Sequence, residues 1–515
     1  MGRLSSLDIG VLTLYLGALF AMGIYFYGKN NTTEEYFLGG RRFSGWIIGL
    51  SLVGTSISSI TFLAYPGDAF KTAWLRFLPN LMLPVAVFIA ARYFLPFLRG
   101  NNSTTAYEYL ETRFGPSIRV YGAITFVVAQ IVRVSLILYL VSLVLQEITG
   151  FDATTCILIG GFIVAVYTII GGIDAVIWTD VIQTVVLLVG GIMCLVIITS
   201  LLPGGIGQIL EVATTDGKLA LAELKNGNLV PVDWHFSLHS KTASMMLVIG
   251  LISWLTEYSS NQNTVQRFCA SKSDYEAKKA MLICVLVSLP TWAFFMFLGT
   301  ALYVFFQVFP AVEANEILRG SRKAEEILPF FIINYLPSGL VGLVIAAALA
   351  AAMSSLDSSI NAISTVSISD IYRRHINRDA TDSHYLRVAR WVASGAGLMM
   401  ILGAIYLTNT ETTTLQDTAT ILTSLLAGGL LSIYCIGFFS NRGDARHILF
   451  GISGTMLFTA WTILSSRSLL PDNLSFPFDL YYTGLIGNII MFILAFGLSF
   501  VLLSKKPDQG LSLMS

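Results

Sequence analysis

The chain has 515 residues, 55% of them hydrophobic and only 12% charged, with a mean hydropathy of +0.73. Soluble chains are nearer a quarter charged, so lipid rather than water must solvate most of this surface. Its 31 basic and 31 acidic residues cancel to a formal net charge of zero, which removes any global argument for nucleic acid or an acidic partner.

Residues 9–27 form the first apolar run, preceded only by Arg3. Its length suits a spanning helix better than a signal sequence. Further runs of about 20 apolar residues, the length a bilayer core requires, lie near 45–64, 78–98, 120–146, 154–171, 181–202, 242–258, 280–306, 328–352, 386–407, 418–439, 446–465 and 479–503. Hydropathy therefore predicts an all-α membrane protein of about 13 transmembrane helices, a single transmembrane domain over 1–515, which leaves a transporter, a channel, a membrane-embedded enzyme or a receptor. With the N-terminus outside and the C-terminus cytoplasmic, about twice as many Lys and Arg residues fall inside as outside, Arg267 counted among the inner ones. The polar stretches 203–240 and 308–327 are too short to be soluble domains.

The second run reads Ser51-Leu-Val-Gly-Thr-Ser-Ile-Ser-Ser-Ile-Thr61, crowded with hydroxyls; the seventh ends in Leu255-Thr-Glu-Tyr-Ser-Ser-Asn-Gln-Asn-Thr264. Polar breaks at matching places in two halves mark a midplane site between inverted repeats. These would be 45–202 and 242–439, with 9–27 as an extra N-terminal helix and 446–503 as C-terminal helices. Ordinary helices whose Ser and Thr bond back to the i−4 carbonyl remain the alternative.

The ninth run is expected to end in Ala350-Ala-Ala-Met-Ser-Ser-Leu-Asp-Ser-Ser-Ile-Asn361, near the cytoplasmic surface. There Ser354, Asp357, Ser358 and Asn361 share one helical stripe. Hard oxygen ligands suit a hard cation; a small-residue packing face with Asp357 reaching water is the competing reading. Arg133 sits mid-span and Glu257 in the broken seventh run. They are open to two interpretations, a structural ion pair or a guanidinium reserved for a carboxylate. Asp180, at the inner end of the sixth run, is open to an interfacial position. Five cysteines and five histidines are scattered without metal spacing.

Five segments, taken in order, resemble the sodium/solute symporter family. They are Glu35-Tyr-Phe-Leu-Gly-Gly40, Ala106-Tyr-Glu-Tyr-Leu-Glu-Thr-Arg-Phe114, Tyr167-Thr-Ile-Ile-Gly-Gly-Ile-Asp-Ala-Val-Ile-Trp-Thr-Asp-Val-Ile-Gln183, Asn261-Gln-Asn-Thr-Val-Gln-Arg267 and Ser369-Asp-Ile-Tyr372. The resemblance implies a LeuT-like core of five plus five inverted helices, driven by Na+, in a bacterial inner membrane. It implies one sodium site at the carbonyls of Gly54, Ile57 and Ala351 and the hydroxyls of Ser354 and Ser355. A second would use Asp180, Ser354, Asp357 and Ser358, with Asp357 standing where sialic acid-carrying members have a serine. It implies a small solute, sialic acid among the candidates, held by Ser56, Ser58, Thr61, Asn80 and Arg133. Ser56 and Asn80 replace a threonine and a glutamine of those members. A sugar or small monocarboxylate symporter is the nearest alternative. An ion channel would need a filter-like repeat, and an intramembrane enzyme a catalytic motif; the sequence offers neither.

Overall fold

The computed structural model describes residues 4–27, 32–100, 103–225, 228–408, 428–466 and 469–501. Nearly all of this is helical, and one antiparallel hairpin, Ala222–Lys225 with Asn228–Pro231, is the only sheet among the described residues. Nine helices among them are long and apolar enough to cross a membrane, or ten if the bent pair Gly45–Ser56 and Ile60–Lys71 counts as one span. Most predicted runs fall inside these helices, and five differ in an instructive way.

Runs 154–171 and 181–202 lie in one continuous element, Ala153–Leu201, interrupted only at Gly172 with φ 61° and ψ −165°. Gln183 nevertheless donates to the Tyr167 hydroxyl at 3.4 Å, across 16 residues. A straight helix would hold them about 24 Å apart, so the chain folds back at Gly172. Only glycine enters that region of backbone space without strain. Its neighbour Gly171 has no room for a side chain either, because a Cβ there would come 2.3 Å from the Cβ of Ala175. The Gly-Gly pair of the third segment above is thus a loopless corner, and residues 173–180, between the two runs, are helical.

The run 242–258 becomes Ala243–Ser260, then a break at Asn261, then the short helix Gln262–Ala270. The run 328–352 was set too early. Ile327–Tyr335 is a separate short helix, and the span is Leu340–Val366, continued by a π-helical end, Ser367–Ile376. The stripe from Ser354 to Asn361 therefore lies mid-helix, not at a cytoplasmic end. Asp357 is wholly buried and does not reach water. Hydropathy takes a polar stripe for a span's end, but this helix is enclosed by protein, where polar side chains at membrane depth are tolerated. The run 418–439 begins within residues 409–427, outside the described residues, and its described part is Leu430–Phe439.

The N-terminal helix Ser6–Tyr27 fixes the start of Leu340–Val366. Asp8 Oδ1 accepts the backbone N–H of Gly339 and of Gly342, each at 2.7 Å, and so serves as an N-cap supplied by another helix. Asp8→Ala should remove about 1–2 kcal/mol of stability. Thermal unfolding in detergent would register this as a lower Tm; an unchanged Tm would deny the cap a role.

Between the sixth and seventh runs, Lys218 folds back onto the end of the second half of the first broken span, Ile60–Lys71. Its ammonium donates to the carbonyls of Phe70 at 2.7 Å and Thr72 at 2.9 Å. Burial pushes that ammonium down to about 8, against the opposing pull of Asp68 and Asp216.

Candidate functional site

The first broken span ends its first helix, Gly45–Ser56, at Ile57, whose backbone is extended (φ −100°, ψ 106°). It resumes as a π-helical turn, Ile60–Ala64, and the halves meet at 58°. Helix-terminal carbonyls lack partners within their own helix, so this break releases acceptors in the protein interior. Gly54 makes the approach possible: a Cβ there would come 2.9 Å from Thr184 Oγ1 and 3.1 Å from the Asp180 carbonyl.

Opposite the break stands Leu340–Val366. Ser354 Oγ donates to the Gly54 carbonyl at 2.9 Å and lies 3.3 Å from that of Ala351. The neighbouring Ser355 hydroxyl is buried without a hydrogen-bond partner. The Ser354 hydroxyl and the Gly54 carbonyl thus meet at a break whose final residue, Ile57, is also buried. A buried hydroxyl without a protein partner needs an explanation, which an ion or a water would supply, and oxygen ligands suit a hard cation.

Beneath this group lies a second one. Asp180 and Asp357 are both fully buried, on the two helices facing each other. Asp180 Oδ2 accepts from Ser51 at 2.6 Å and from Arg267 at 2.7 Å, while its Oδ1 has no hydrogen-bond partner. Asp357 Oδ2 accepts from Tyr167 at 2.8 Å and Thr179 at 3.3 Å, and its Oδ1 from the Ser358 amide at 2.6 Å. Arg267 ties the group together, donating also to Ser358 Oγ at 2.7 Å, Ser51 Oγ at 2.8 Å and the Asn263 carbonyl at 2.7 Å.

Two expectations change here. Asp180 is not interfacial. Arg267, which the charge count treats as an inner-surface cation, is a buried one beside the carboxylates. Its position carried a signal, since it follows the break at Asn261 by about two turns and so cannot lie far from the midplane.

A cavity of about 330 Å³ opens between the two broken spans, at the small end of the ~300–1,000 Å³ typical of small-molecule sites. Ser56, Asn80 and Arg133 line it, as does Glu257. Ser58 and Thr61 do not: Ser58 is buried in the break itself, where its Oγ accepts the N–H of Ile60 at 3.2 Å, and Thr61 is buried in the π-helical turn that follows. Asn80 is oriented by a 2.8 Å hydrogen bond to the Tyr65 hydroxyl.

No ion pair joins Arg133 to Glu257 among the described residues. Glu257 instead accepts from Asn261 Nδ2 and Thr264 Oγ1, both at 2.7 Å, across the break of its own span. The other guanidinium on the wall, Arg76, is 3.2 Å from Asp68. Arg133 therefore faces the cavity with its charge uncompensated by a carboxylate, although a charge at the bilayer centre costs about 2.5–3.5 kcal/mol on insertion scales.

The profile of the Sodium:solute symporter family matches residues 36–453. The chain is 30% identical over 492 residues to a sodium/sialic acid symporter, NanT, of Aliivibrio fischeri, spanning 95% of this chain and 92% of that protein. It is 31% identical over 488 residues to a second one, SiaT, of Proteus mirabilis, spanning 95% and 93%. A solved Na+-coupled sialic acid symporter in a substrate-bound outward-open state matches with a TM-score of 0.85 at 29% identity, covering 98% of this chain and 99% of that one.

Proposed function

For this chain, which belongs to the Sodium:solute symporter family, we propose that the solute carried with sodium is an organic anion of the sialic acid type. Membership makes the chain a multi-pass sodium-coupled transporter and not an enzyme. The choice of an anion rests on one observation, the cavity-facing Arg133 without a carboxylate partner. A planar guanidinium fork suits a carboxylate. A sugar would give it no counter-charge, which disfavours the nearest alternative.

Sodium is read at the carbonyls of Gly54, Ile57 and Ala351 with the hydroxyls of Ser354 and Ser355. A second ion is read at Asp180, Ser354, Asp357 and Ser358, beside the fixed charge of Arg267. Coupling follows from the chain itself, because Gly54 at the ion ligands and Ser56 at the cavity are two residues apart on one broken span. An ion that pins this break to Leu340–Val366 favours the conformation in which the cavity wall is complete. Such differential binding is what any ligand-driven shift requires. Residues 45–202 and 242–439 are read as the two inverted repeats, supported by breaks at Ile57 and Asn261. The Lys and Arg bias supports an N-terminus outside and a C-terminus in the cytoplasm of a bacterial inner membrane.

Arg133→Lys keeps the charge and loses the fork. Hydrogen bonds to charged groups contribute about 1.5–3 kcal/mol, so N-acetylneuraminate should bind roughly 10–100-fold more weakly. Titration calorimetry in saturating sodium would measure this, with the carboxyl-reduced analogue as control. Equal binding of acid and reduced analogue to the unaltered protein would rule out the clamp.

A further inference from the structure

The cavity walls carry a second charge that the anion reading leaves unused. Glu257 lines the cavity from Ala243–Ser260, whereas Arg133 lines it from Pro116–Thr149. No cation pairs with Glu257 among the described residues. Asn261 and Thr264 each give it one hydrogen bond, one per oxygen. A carboxylate offers about four acceptor positions, so roughly half remain for whatever fills the cavity. Its place in the last turn of a helix, the negative end of the peptide dipoles, makes further donors more valuable still.

We propose that Glu257 is a specificity-determining residue, accepting hydrogen bonds from hydroxyl or amide N–H groups at the end of the solute remote from its carboxylate. The inference rests on the cavity being the solute site. It narrows the solute to acids with a donor-bearing tail. A plain hydrocarbon acid would satisfy Arg133 and leave Glu257 facing methylenes, and sites built to hydrogen-bond a ligand reject analogues without the matching group.

The test uses the full chain in saturating sodium and pairs of acids in which one member carries more donors than the other. The pairs are gluconate against hexanoate, and N-acetylneuraminate against its analogue shortened by two glycerol carbons. The unaltered protein should prefer the donor-richer member of each bound pair by about tenfold or more. Glu257→Gln should collapse that ratio while leaving the poorer member's affinity nearly unchanged. Glu257→Asp keeps both acceptor oxygens, retracts them by one methylene and should narrow the ratio only partly; it decides by the same ratio if Glu257→Gln does not fold.

No preference in the unaltered protein, or a preference that survives both variants, overturns the inference. So does proportionate weakening of both members, which is what a purely structural role at the break produces. A gluconate preference lost in Glu257→Gln without any binding of N-acetylneuraminate would sustain the inference and refute the sialic acid reading.

Discussion

Arg267→Met is expected to cost the folded protein about 3–5 kcal/mol, the usual result of removing one partner from a buried ion pair. Asp180 is fully buried, its Oδ1 has no hydrogen-bond partner, and its Oδ2 depends on Arg267 and Ser51. Methionine fills much of the volume but leaves that carboxylate without its cation. The Ser51 and Ser358 hydroxyls and the Asn263 carbonyl lose a partner at the same time. Lysine should not substitute well, because one ammonium cannot reach all four groups in the geometry of a planar fork. Unfolding of purified protein in mild detergent would measure the loss. Adding Asp180→Asn to Arg267→Met should recover a substantial part of it, since the orphaned charge disappears. Single and double variants of equal stability to the unaltered protein would mean that the pair contributes nothing to the fold.

The second large effect is expected at the ion ligands. Ser354→Ala and Ser355→Ala should each raise the sodium concentration for half-maximal transport by about tenfold, the scale of 1.4 kcal/mol per ligand. Ser355→Ala is the sharper test. Its hydroxyl has no protein hydrogen bond to lose, so without sodium the variant should be as stable as the parent or slightly more so. Sodium should then stabilise it less than the parent, because ligand stabilisation grows with concentration over Kd. Ser354→Ala should also loosen the contact to the Gly54 carbonyl, 2.9 Å away. Thermal shifts across a sodium titration, with potassium replacing sodium to hold ionic strength, separate these terms. Identical sodium-dependent shifts in both variants and the parent would remove the site.

Hydropathy made the membrane class and most of the spans legible, because lipid leaves a long apolar run no alternative to a helix. Both helix breaks were legible too. Thr55, Thr256 and Ser260 do bond back to i−4 carbonyls, the alternative raised for them, yet both spans still break beside these hydroxyls, at Ile57 and Asn261. What was lost depended on tertiary enclosure. Leu340–Val366 is surrounded by protein, so its polar stripe marks the middle of the span and not its end. The corner at Gly172 contains no polar loop, and a composition window cannot distinguish that from a gap. Arg267 looked like a surface cation because counting charges near span ends ignores what lies across from them. Ser58 and Thr61, solute contacts only by the resemblance, are buried and absent from the cavity wall, and the residue types alone do not show which hydroxyls near a break face inward.

The central claim is that sodium and an organic anion meet at one broken helix and move together. The most direct measurement is uptake of radiolabelled N-acetylneuraminate into proteoliposomes, with an inward sodium gradient and with equal sodium on both sides. The account predicts transient accumulation above the external concentration with the gradient, simple equilibration without it, and suppression of uptake in Arg133→Lys. Uptake at the same rate and extent whether or not sodium is present would contradict it.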